Sequence, residues 1–361
     1  MPYLDTIRSI WAQNRYVFVF LYYEKCLDIT DEKGYHIYKQ KQSILSRKGI
    51  TMQINDRKTY IPTKKSVVAL GNFDGIHLGH VALINKAVAF ANESGLLSCV
   101  YTFSDHPSNF KNGINGIITD NSEKAQILSE LRADLLCLDD FDMVKDLSCR
   151  QFCEEILVKG LGCEIAVCGD NYSFGAGRSG NADTLKRVME DLGKKVVVLD
   201  CVSKCGDCIN STHVRELICE GKMEEASELL GRRYSFYSEV VHGKKLGRVL
   251  GSPTINQFFP EKKLRPKNGV YISLCSFDGK KYAGVTNVGV NPTVNDGVNA
   301  PVLCETHIIG FDGDLYGKEV RIEFCRHLRD EKKFPSLDEL KKEILHNVSQ
   351  AKEYFERETL L

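Results

Sequence analysis

The sequence has no excess of either charge and no long apolar run. Its 48 Lys and Arg equal its 48 Asp and Glu among 361 residues, so no net field draws the whole chain to a nucleic-acid backbone or an anionic membrane. An apolar run near the start covers only residues 16–23, whereas a membrane-spanning helix needs about 20 residues. No secretory leader pattern is present either. We therefore expect a cytoplasmic protein with neither a membrane segment nor a nucleic-acid partner.

The 14 cysteines are scattered through the chain and show no disulfide framework, which predicts a reducing compartment. The CxxC pair is Cys205 and Cys208, with Cys201 just upstream. A structural zinc site usually needs a second pair at ligand spacing, and none is apparent. We expect reduced, unliganded thiols here, with zinc as the alternative.

Length and composition predict about two globular domains, because hydrophobic residues make up 43% and charged residues 27% of the chain. Residues 1–51 contain the only Trp and fit poorly with the rest of the chain. Two interpretations stay open for them. They are an extra strand or arm packed on the first domain, or a translated upstream region with the functional start at Met52.

From residue 66 onward, short apolar runs alternate with amphipathic patterns. The runs at 66–70, 98–103, 164–168 and 195–199 predict buried parallel strands. The segments 81–93 and 182–192 carry apolar residues at helical spacing. This alternation predicts a doubly wound α/β sheet whose ligands bind at the carboxyl ends of the strands.

The pattern changes after a further predicted helix, 212–230, which Gly231 ends. Strand-like pieces then occur at 234–241, 269–277, 281–288, 302–309 and 318–325. They predict an antiparallel barrel or sandwich, closed by an amphipathic helix that Ser336 caps in a capping box with Glu339. The fold class is therefore α/β plus β, with an extension at 1–51 and domains at 52–230 and 231–361.

The segment from Gly71 to His80 lies between a predicted strand and a predicted helix. A glycine-rich turn lets backbone approach a phosphate, and the helix N-terminus supplies free N–H groups and partial positive charge. His77 and His80 can donate hydrogen bonds to phosphoryl oxygens. We favour phosphate chemistry over a purely structural turn and over His77 and His80 as metal ligands.

This segment, Gly-Asn-Phe-Asp-Gly-Ile-His-Leu-Gly-His, resembles the nucleotidylyltransferase motif of prokaryotic bifunctional FAD synthetases. Residues 169–175 and 209–215 resemble two later motifs of that family, with Tyr172 where Phe is usual and Asn210 where Ser is usual. The resemblance implies a Rossmann-like FMN adenylyltransferase domain. In that reaction the FMN phosphate attacks the α-phosphorus of ATP, so positioning and charge stabilisation perform the catalysis.

The resemblance also implies roles for particular residues. His77, His80 and Arg215 are the predicted catalytic residues, the histidines acting on the α-phosphoryl group and Arg215 on the outer phosphates. The predicted nucleotide-binding residues are Gly71, Phe73, Asp74, Gly75, Gly79, Asn171, Ser211 and Thr212. For Ser211 and Thr212 the structural alternative is helix capping, and for Asn171 it is a turn.

A second motif, at residues 243–256, resembles the riboflavin kinase motif of the same family, with Ile255 in place of Ala. It implies that Gly243, Lys244, Gly247, Arg248, Gly251 and Pro253 bind the nucleotide. Thr254 and Asn256 offer hard oxygens for Mg²⁺, directly or through water. Glu305 matches the family's base, which accepts the proton of the ribityl hydroxyl.

Two further stretches extend the kinase resemblance. Asn287 lies in 284–293 and Arg329 in 328–334, and both are predicted to bind flavin; Asn291 departs from the basic residue expected there. The whole resemblance implies an ATP-dependent enzyme that converts riboflavin to FMN and FMN to FAD, as a monomer or weak homo-oligomer. A kinase with a weakened adenylyltransferase and a non-catalytic flavin sensor are the alternatives.

Overall fold

The computed structural model describes residues 43–47, 50–56, 62–104, 116–204, 206–243, 252–290 and 301–358. Most of the predicted extension, residues 1–42, lies outside them. By their contacts, the described residues form two compact units. The sheet unit comprises residues 43–104 and 119–210, and the barrel unit comprises residues 116–118 and 211–358. The domain boundaries drawn from the sequence, which place 211–230 with the first domain, stay a prediction.

The sheet unit is built on seven strands. They are β1 (Ser43–Arg47), β2 (Ile50–Asp56), β3 (Ser66–Leu70), β4 (Leu97–Phe103), β5 (Leu135–Asp139), β6 (Cys163–Gly169) and, after two short strands, β9 (Lys195–Leu199). Their order in the sheet is β1-β2-β5-β4-β3-β6-β9. All neighbours are parallel except β1, which pairs antiparallel with β2. Short hairpins are formed by β7 (Ser173–Phe174) with β8 (Gly180–Asn181) and by β10 (Ser203–Lys204) with β11 (Asp207–Cys208).

Among the described residues, four α-helices accompany the sheet. They are α1 (Leu78–Ser94), α2 (Asn121–Glu130), α3 (Cys149–Gln151), which continues as a π-helix over Phe152–Gly160, and α4 (Ala182–Asp191). A cluster of buried side chains from β3 to β6 and from the segments at 152–161 and 182–189 forms the main core. Every residue of β3 is buried, as the uninterrupted apolar run of a central parallel strand predicts.

The predicted α/β alternation is confirmed, with β3 and β9 at the predicted bounds. Sequence reasoning missed β5, although Leu-Leu-Cys-Leu-Asp is an apolar run of strand length. It also missed α2, whose capping box joins Asp120 to Glu123 and has the sequence spacing that marks a helix start. Strand β1 and the start of β2 fall within residues 43–51 of the predicted extension, whose two interpretations both stay open.

The barrel unit begins with two helices where one was predicted. They are α5 (Ser211–Glu220) and α6 (Met223–Leu230). Gly221 separates them, with φ of 79°, a left-handed conformation that ends a helix. Arg326 of the barrel donates to Glu224 of α6, so these helices pack with the strands that come after them in the chain.

A closed barrel of six strands forms the rest of this unit. The strands are β12 (Tyr234–Val241), β13 (Thr254–Phe258), β14 (Gly269–Phe277), β15 (Lys280–Val290), β16 (Val302–Ile308) and β17 (Glu319–Arg329), in the order β12-β13-β16-β15-β14-β17. The terminal helix α7 (Leu337–Glu358) starts where Glu339 N donates to Ser336 Oγ. Ala351, Tyr354 and Phe355 of α7 pack on the outer face of β14, β15 and β17.

One expectation about the cysteines is wrong, because Cys201 and Cys208 form a disulfide. It closes the β10-β11 hairpin, and the CxxC partner Cys205 lies outside the described residues. The described free cysteines are buried or partly buried, and burial raises the pKa of Cys153, Cys168 and Cys325 to about 12. These thiols therefore stay protonated and unreactive at neutral pH.

Candidate active sites

Strand register brings three predicted kinase residues into one row across the barrel. Asn256 of β13 is directly opposite Glu305 of β16, and Glu305 is directly opposite Asn287 of β15. Directly opposed residues of antiparallel strands place their Cβ atoms about 4.5–5.5 Å apart on the same face. Three residues that are far apart in the sequence therefore become neighbours.

This row lies on the outer face of the barrel. Thr286, which precedes Asn287, and Thr306, which follows Glu305, are fully buried in the barrel interior. Their hydroxyl oxygens are 2.9 Å apart. Since side chains alternate along a strand, Asn287 and Glu305 face outward, and Glu305 is exposed. The Glu305 carboxylate is therefore accessible, on a wall formed by three paired strands.

Asn256 has the features of a ligand-binding amide. Its side chain is 6% exposed, and within the described residues its Oδ1 has no hydrogen-bond partner. Thr254 lies two residues away and faces the same side of β13. A buried amide oxygen without a partner, beside a hydroxyl and near a carboxylate, fits the oxygen ligands that a hard divalent cation prefers.

Gly243 packs directly against this amide. A Cβ at residue 243 would stand within 2.5 Å of Asn256 Cγ, closer than real side chains approach. The predicted nucleotide-binding glycine therefore leaves the space that the Asn256 side chain fills. Pro253, also predicted to bind nucleotide, accepts at its carbonyl oxygen from His307 Nδ1, 2.9 Å away.

Sequence reasoning missed the roles of His307 and Glu331. His307 is opposite Thr254 and ties β16 to the start of β13 through Pro253. The Glu331 carboxylate lies over Gly289, where a Cβ would collide with it, and Asn268 Nδ2 donates to Glu331 Oε2 at 3.3 Å. The strand period of two was the available signal for His307, because it places that residue on the face of Glu305.

Arg329, predicted to bind flavin, is held by the terminal helix. Its Nε lies 3.0 Å from Glu343 Oε1 and 3.3 Å from Asn347 Oδ1. Its guanidinium stands 5.5 Å from the ring centre of Phe334. Because Val270 is paired with both Asn287 and Arg329, Arg329 ends the row that starts at Asn256.

The other predicted site comes directly after β3 in the sheet unit, as expected for a parallel sheet. Helix α1 begins at Leu78, three residues earlier than predicted, and His77 is its N-cap. The turn before it has positive φ at Phe73 (45°), Gly75 (84°) and Ile76 (36°). Two of these residues are not glycine, so the turn holds backbone strain of the kind found at ligand-binding loops.

His77 and His80 pack face to face at the start of α1. Their ring centres are 3.7 Å apart with an angle of 18° between the planes, and His77 Nδ1 accepts from His80 N. His77 is 5% exposed. Gly79 lies against this pair, since a Cβ there would be 3.1 Å from His77 Cε1. Among the described residues no three His, Cys, Asp or Glu side chains form a metal cluster.

Other predicted nucleotide-binding residues of this turn lie inside the fold. Phe73 is fully buried, and a Cβ at Gly71 would press on its ring at 3.1 Å. Asp74 is 1% exposed, and its Oδ1 accepts from Thr119 N at 3.0 Å. These side chains set the shape of the turn, whose backbone remains the part able to approach a phosphate.

Asn171 is exposed in the turn between β6 and β7, at the carboxyl end of a central strand. Tyr172, the departure from Phe, stacks on Phe174 with ring centres 5.7 Å apart and packs against the core. An aromatic ring is therefore retained at this position.

Ser211, Thr212 and Arg215 occupy the first turns of α5 in the barrel unit. Ser211 is the first residue of the helix and Thr212 is exposed. Arg215 Nη1 donates to Ser211 O at 3.3 Å. Lys244, Gly247, Arg248, Gly251 and the departure at Asn291 lie outside the described residues.

Comparisons with known proteins agree with both halves of the chain. A family model described as FAD synthetase matches residues 61–213, and one described as riboflavin kinase matches residues 230–355. A bifunctional riboflavin kinase/FMN adenylyltransferase of Pseudomonas fluorescens is 34% identical over 79% of this chain and 92% of its own length. Its Escherichia coli (strain K12) counterpart is 31% identical over 81% of this chain and 94% of its own.

A solved structure is similar along most of the chain. It is a crystal structure from Streptococcus pneumoniae titled as a macrolide-efflux protein, 28% identical, with a TM-score of 0.75 over 83% of this chain and 98% of its own. In the described part of this chain, no helix has the length and apolarity needed to cross a bilayer.

Proposed function

The chain belongs to the family of bifunctional riboflavin kinase/FMN adenylyltransferases, and on that basis we propose which of its residues perform each reaction. It is an enzyme of flavin cofactor biosynthesis that phosphorylates riboflavin to FMN and adenylylates FMN to FAD. ATP is a substrate of both reactions. The row from Asn256 through Glu305 to Asn287 is the observation that carries the residue assignment.

In the kinase reaction, Glu305 accepts the proton of the ribityl hydroxyl as that oxygen attacks the γ-phosphorus of ATP. Its exposed carboxylate stands on a rigid strand between Asn256 and Asn287, so it reaches substrate without moving the backbone. Catalysis of phosphoryl transfer rests on positioning of this kind together with electrostatic stabilisation. Asn287 and Arg329 contact the flavin of the same substrate, and Arg329 also holds α7 at the end of the row.

Enzymes of this type use a divalent metal with ATP, and we assign Mg²⁺. Thr254 Oγ1 and Asn256 Oδ1 would hold it, directly or through water. When bound, the ion neutralises charge that grows on the transferring phosphoryl group. The protein keeps Asn256 Oδ1 buried and without a hydrogen-bond partner among the described residues, so this oxygen can bind the ion. The residues that bind the nucleotide are Gly243, Lys244, Gly247, Arg248, Gly251 and Pro253.

In adenylyl transfer, His77 and His80 donate to oxygens of the α-phosphoryl group. The start of α1 adds backbone N–H groups and partial positive charge at the same point. Gly71, Phe73, Asp74, Gly75 and Gly79 serve by setting the backbone of this turn. Asn171, Ser211 and Thr212 contact the nucleotide, and Arg215 binds its outer phosphates through the planar guanidinium.

The decisive test is chromatography of flavins after incubation of the full chain with ATP and Mg²⁺, in one reaction with riboflavin and in a second with FMN. We expect FAD in both. FMN that accumulates in the first reaction, with no FAD in either, would reveal a kinase whose adenylyltransferase is weakened at Asn210 or Tyr172. Flavin binding without any new product would support the alternative that the chain is a non-catalytic flavin sensor.

We also propose a cytoplasmic monomer or weak homo-oligomer that has neither a nucleic-acid nor a membrane partner. The balanced charge supports this view. Light scattering of the purified chain would test its assembly, and an octamer or larger species would contradict it.

A further inference from the structure

The outer wall of the barrel carries a second row beside the catalytic one. Two residues beyond Asn256 on β13 lies Phe258, which is directly opposite Leu303 of β16. Leu303 is in turn opposite Gly289 of β15. Residues two apart on a strand share a face, so the apolar row Phe258, Leu303 and Gly289 runs parallel to the polar row Asn256, Glu305 and Asn287.

Phe258 is a large apolar residue on the outer face of the barrel. It is 47% exposed, whereas Gln257, which faces the interior, is buried. Leu303 beside it is half-buried. At Gly289 the wall has no side chain, and the Glu331 carboxylate lies over it, held by Asn268. The row therefore forms an apolar strip with a fixed polar edge.

The chemistry of the kinase reaction decides what this strip contacts. In phosphoryl transfer the attacking and leaving oxygens lie roughly in line on opposite sides of phosphorus. Thr254 and Asn256 mark the side of the metal and of the leaving ADP. Beyond Glu305, away from Thr254, the wall continues as Phe258, Leu303 and Gly289, so the rest of the acceptor substrate extends over this row.

The length of the acceptor agrees with that direction. Six bonds of about 1.5 Å each separate the reacting hydroxyl oxygen of riboflavin from the ring nitrogen that carries the ribityl chain. In an extended chain these two atoms are therefore roughly 7 Å apart. Two residues advance an antiparallel strand by roughly 6.8 Å. A substrate whose hydroxyl is at Glu305 thus places its ring system beside Phe258.

We propose that Phe258 is a specificity-determining residue of the kinase site, contacting the apolar benzenoid edge of the flavin ring on the strip formed with Leu303 and Gly289. The proposal rests on the kinase function assigned above and deepens it. Phe258 acts on substrate binding and takes no part in proton transfer. Glu331, fixed over Gly289, faces the polar end of the same ring.

The test is steady-state kinetics of FMN formation by Phe258→Ser in the full chain. We expect the KM for riboflavin to rise about tenfold, the effect of losing one aromatic contact, with kcat and the KM for ATP unchanged. Phe258→Tyr should restore the riboflavin KM. The matched control is Leu345→Ser, which removes an equally exposed apolar side chain from α7 (55% exposed) and should change neither constant.

The outcomes separate this inference from the assignment of function. An unchanged riboflavin KM in Phe258→Ser, or an equal rise of the KM for ATP, would overturn the proposal while the wild-type chain still makes FMN. Failure of the wild-type chain to make FMN would instead overturn the kinase function. If Phe258→Ser unfolds at a lower temperature, Phe258→Leu keeps the apolar volume, and a raised riboflavin KM there still supports the aromatic contact.

Discussion

Gly243 and Asn256 are in such close contact that the amide of Asn256 occupies the space of a side chain at residue 243. The two residues stand at opposite ends of the kinase motif. Val241, two residues before Gly243, is paired with Asn256 in the barrel, so the strand register brings the two segments together. The glycine is therefore required by the position of the amide.

Gly243→Ala is expected to lower FMN formation at least tenfold, because the added Cβ displaces the amide that we assign to the metal. FAD formation from supplied FMN should stay within twofold of wild type. Both rates are measured by flavin chromatography. Loss of neither rate would show that the Asn256 amide is free to move without cost.

Glu305→Gln is expected to abolish FMN formation, since the amide keeps the size of the side chain but accepts no proton. FAD formation from FMN should be unaffected. Glu319→Gln, a change at an exposed position of β17, is the matched control and should leave both activities intact. Loss of both activities in folded Glu305→Gln would contradict separate sites.

His80→Ala is expected to show the converse, loss of FAD formation by about 100-fold or more with FMN formation retained. His77 needs a different substitution, because it also caps α1. His77→Asn keeps a capping side chain, so it should lower FAD formation while the melting temperature changes little. A clear fall of the melting temperature together with the loss of FAD formation in His77→Asn would show that His77 has only a structural role.

The Cys201–Cys208 disulfide is expected to stabilise the sheet unit by about 2–3 kcal/mol, the entropy of closing a short loop. The denatured chain should show two fewer reactive thiols before treatment with a dithiol than after it. Reduction should lower the unfolding temperature and leave FMN formation unchanged. Zinc in the purified protein, with every thiol reactive after chelation, would contradict the disulfide.

Glu164 gives the stability of the sheet unit a dependence on pH. Its carboxylate lies 2.7 Å from Lys194 Nζ and 3.0 Å from Lys65 Nζ, and these hydrogen bonds, with Lys194 foremost, lower the pKa of Glu164 below its usual value. Because the pKa of Glu164 is lower in the folded state, the ionised carboxylate adds stability at pH values above its unfolded pKa near 4.5. This added stability disappears as the pH falls through the pKa of Glu164 in the folded state.

The substitution that tests this dependence is Glu164→Gln. At pH 7 it should reduce the free energy of unfolding by no more than about 1 kcal/mol, since the pair is partly exposed. The difference from wild type should shrink as the pH falls below 4.5 and through the lowered pKa of the folded state. Urea denaturation at several pH values measures it, and a difference that grows toward acid would contradict the assignment.

Sequence patterns alone were enough to predict the α/β alternation, the β region, the capped terminal helix and the motifs of both sites. These features are local: they depend on periodicity, turn residues and short ordered patterns. Sequence reasoning missed β13, because the Asn and Gln of Thr-Ile-Asn-Gln-Phe disfavour strands. It also expected a free thiol at Cys208, since which cysteines meet depends on how the hairpin folds.

Tertiary structure alone decided which residues share a wall. Asn256, Glu305, Asn287 and Arg329 are joined by the registers of four strand pairs, and register depends on the whole closed barrel. The registers of β13, β15 and β16 also bring Phe258, Leu303 and Gly289 together. The physical reason is that pairing between distant strands is fixed by burial on the other face of each strand, which one segment read alone does not contain.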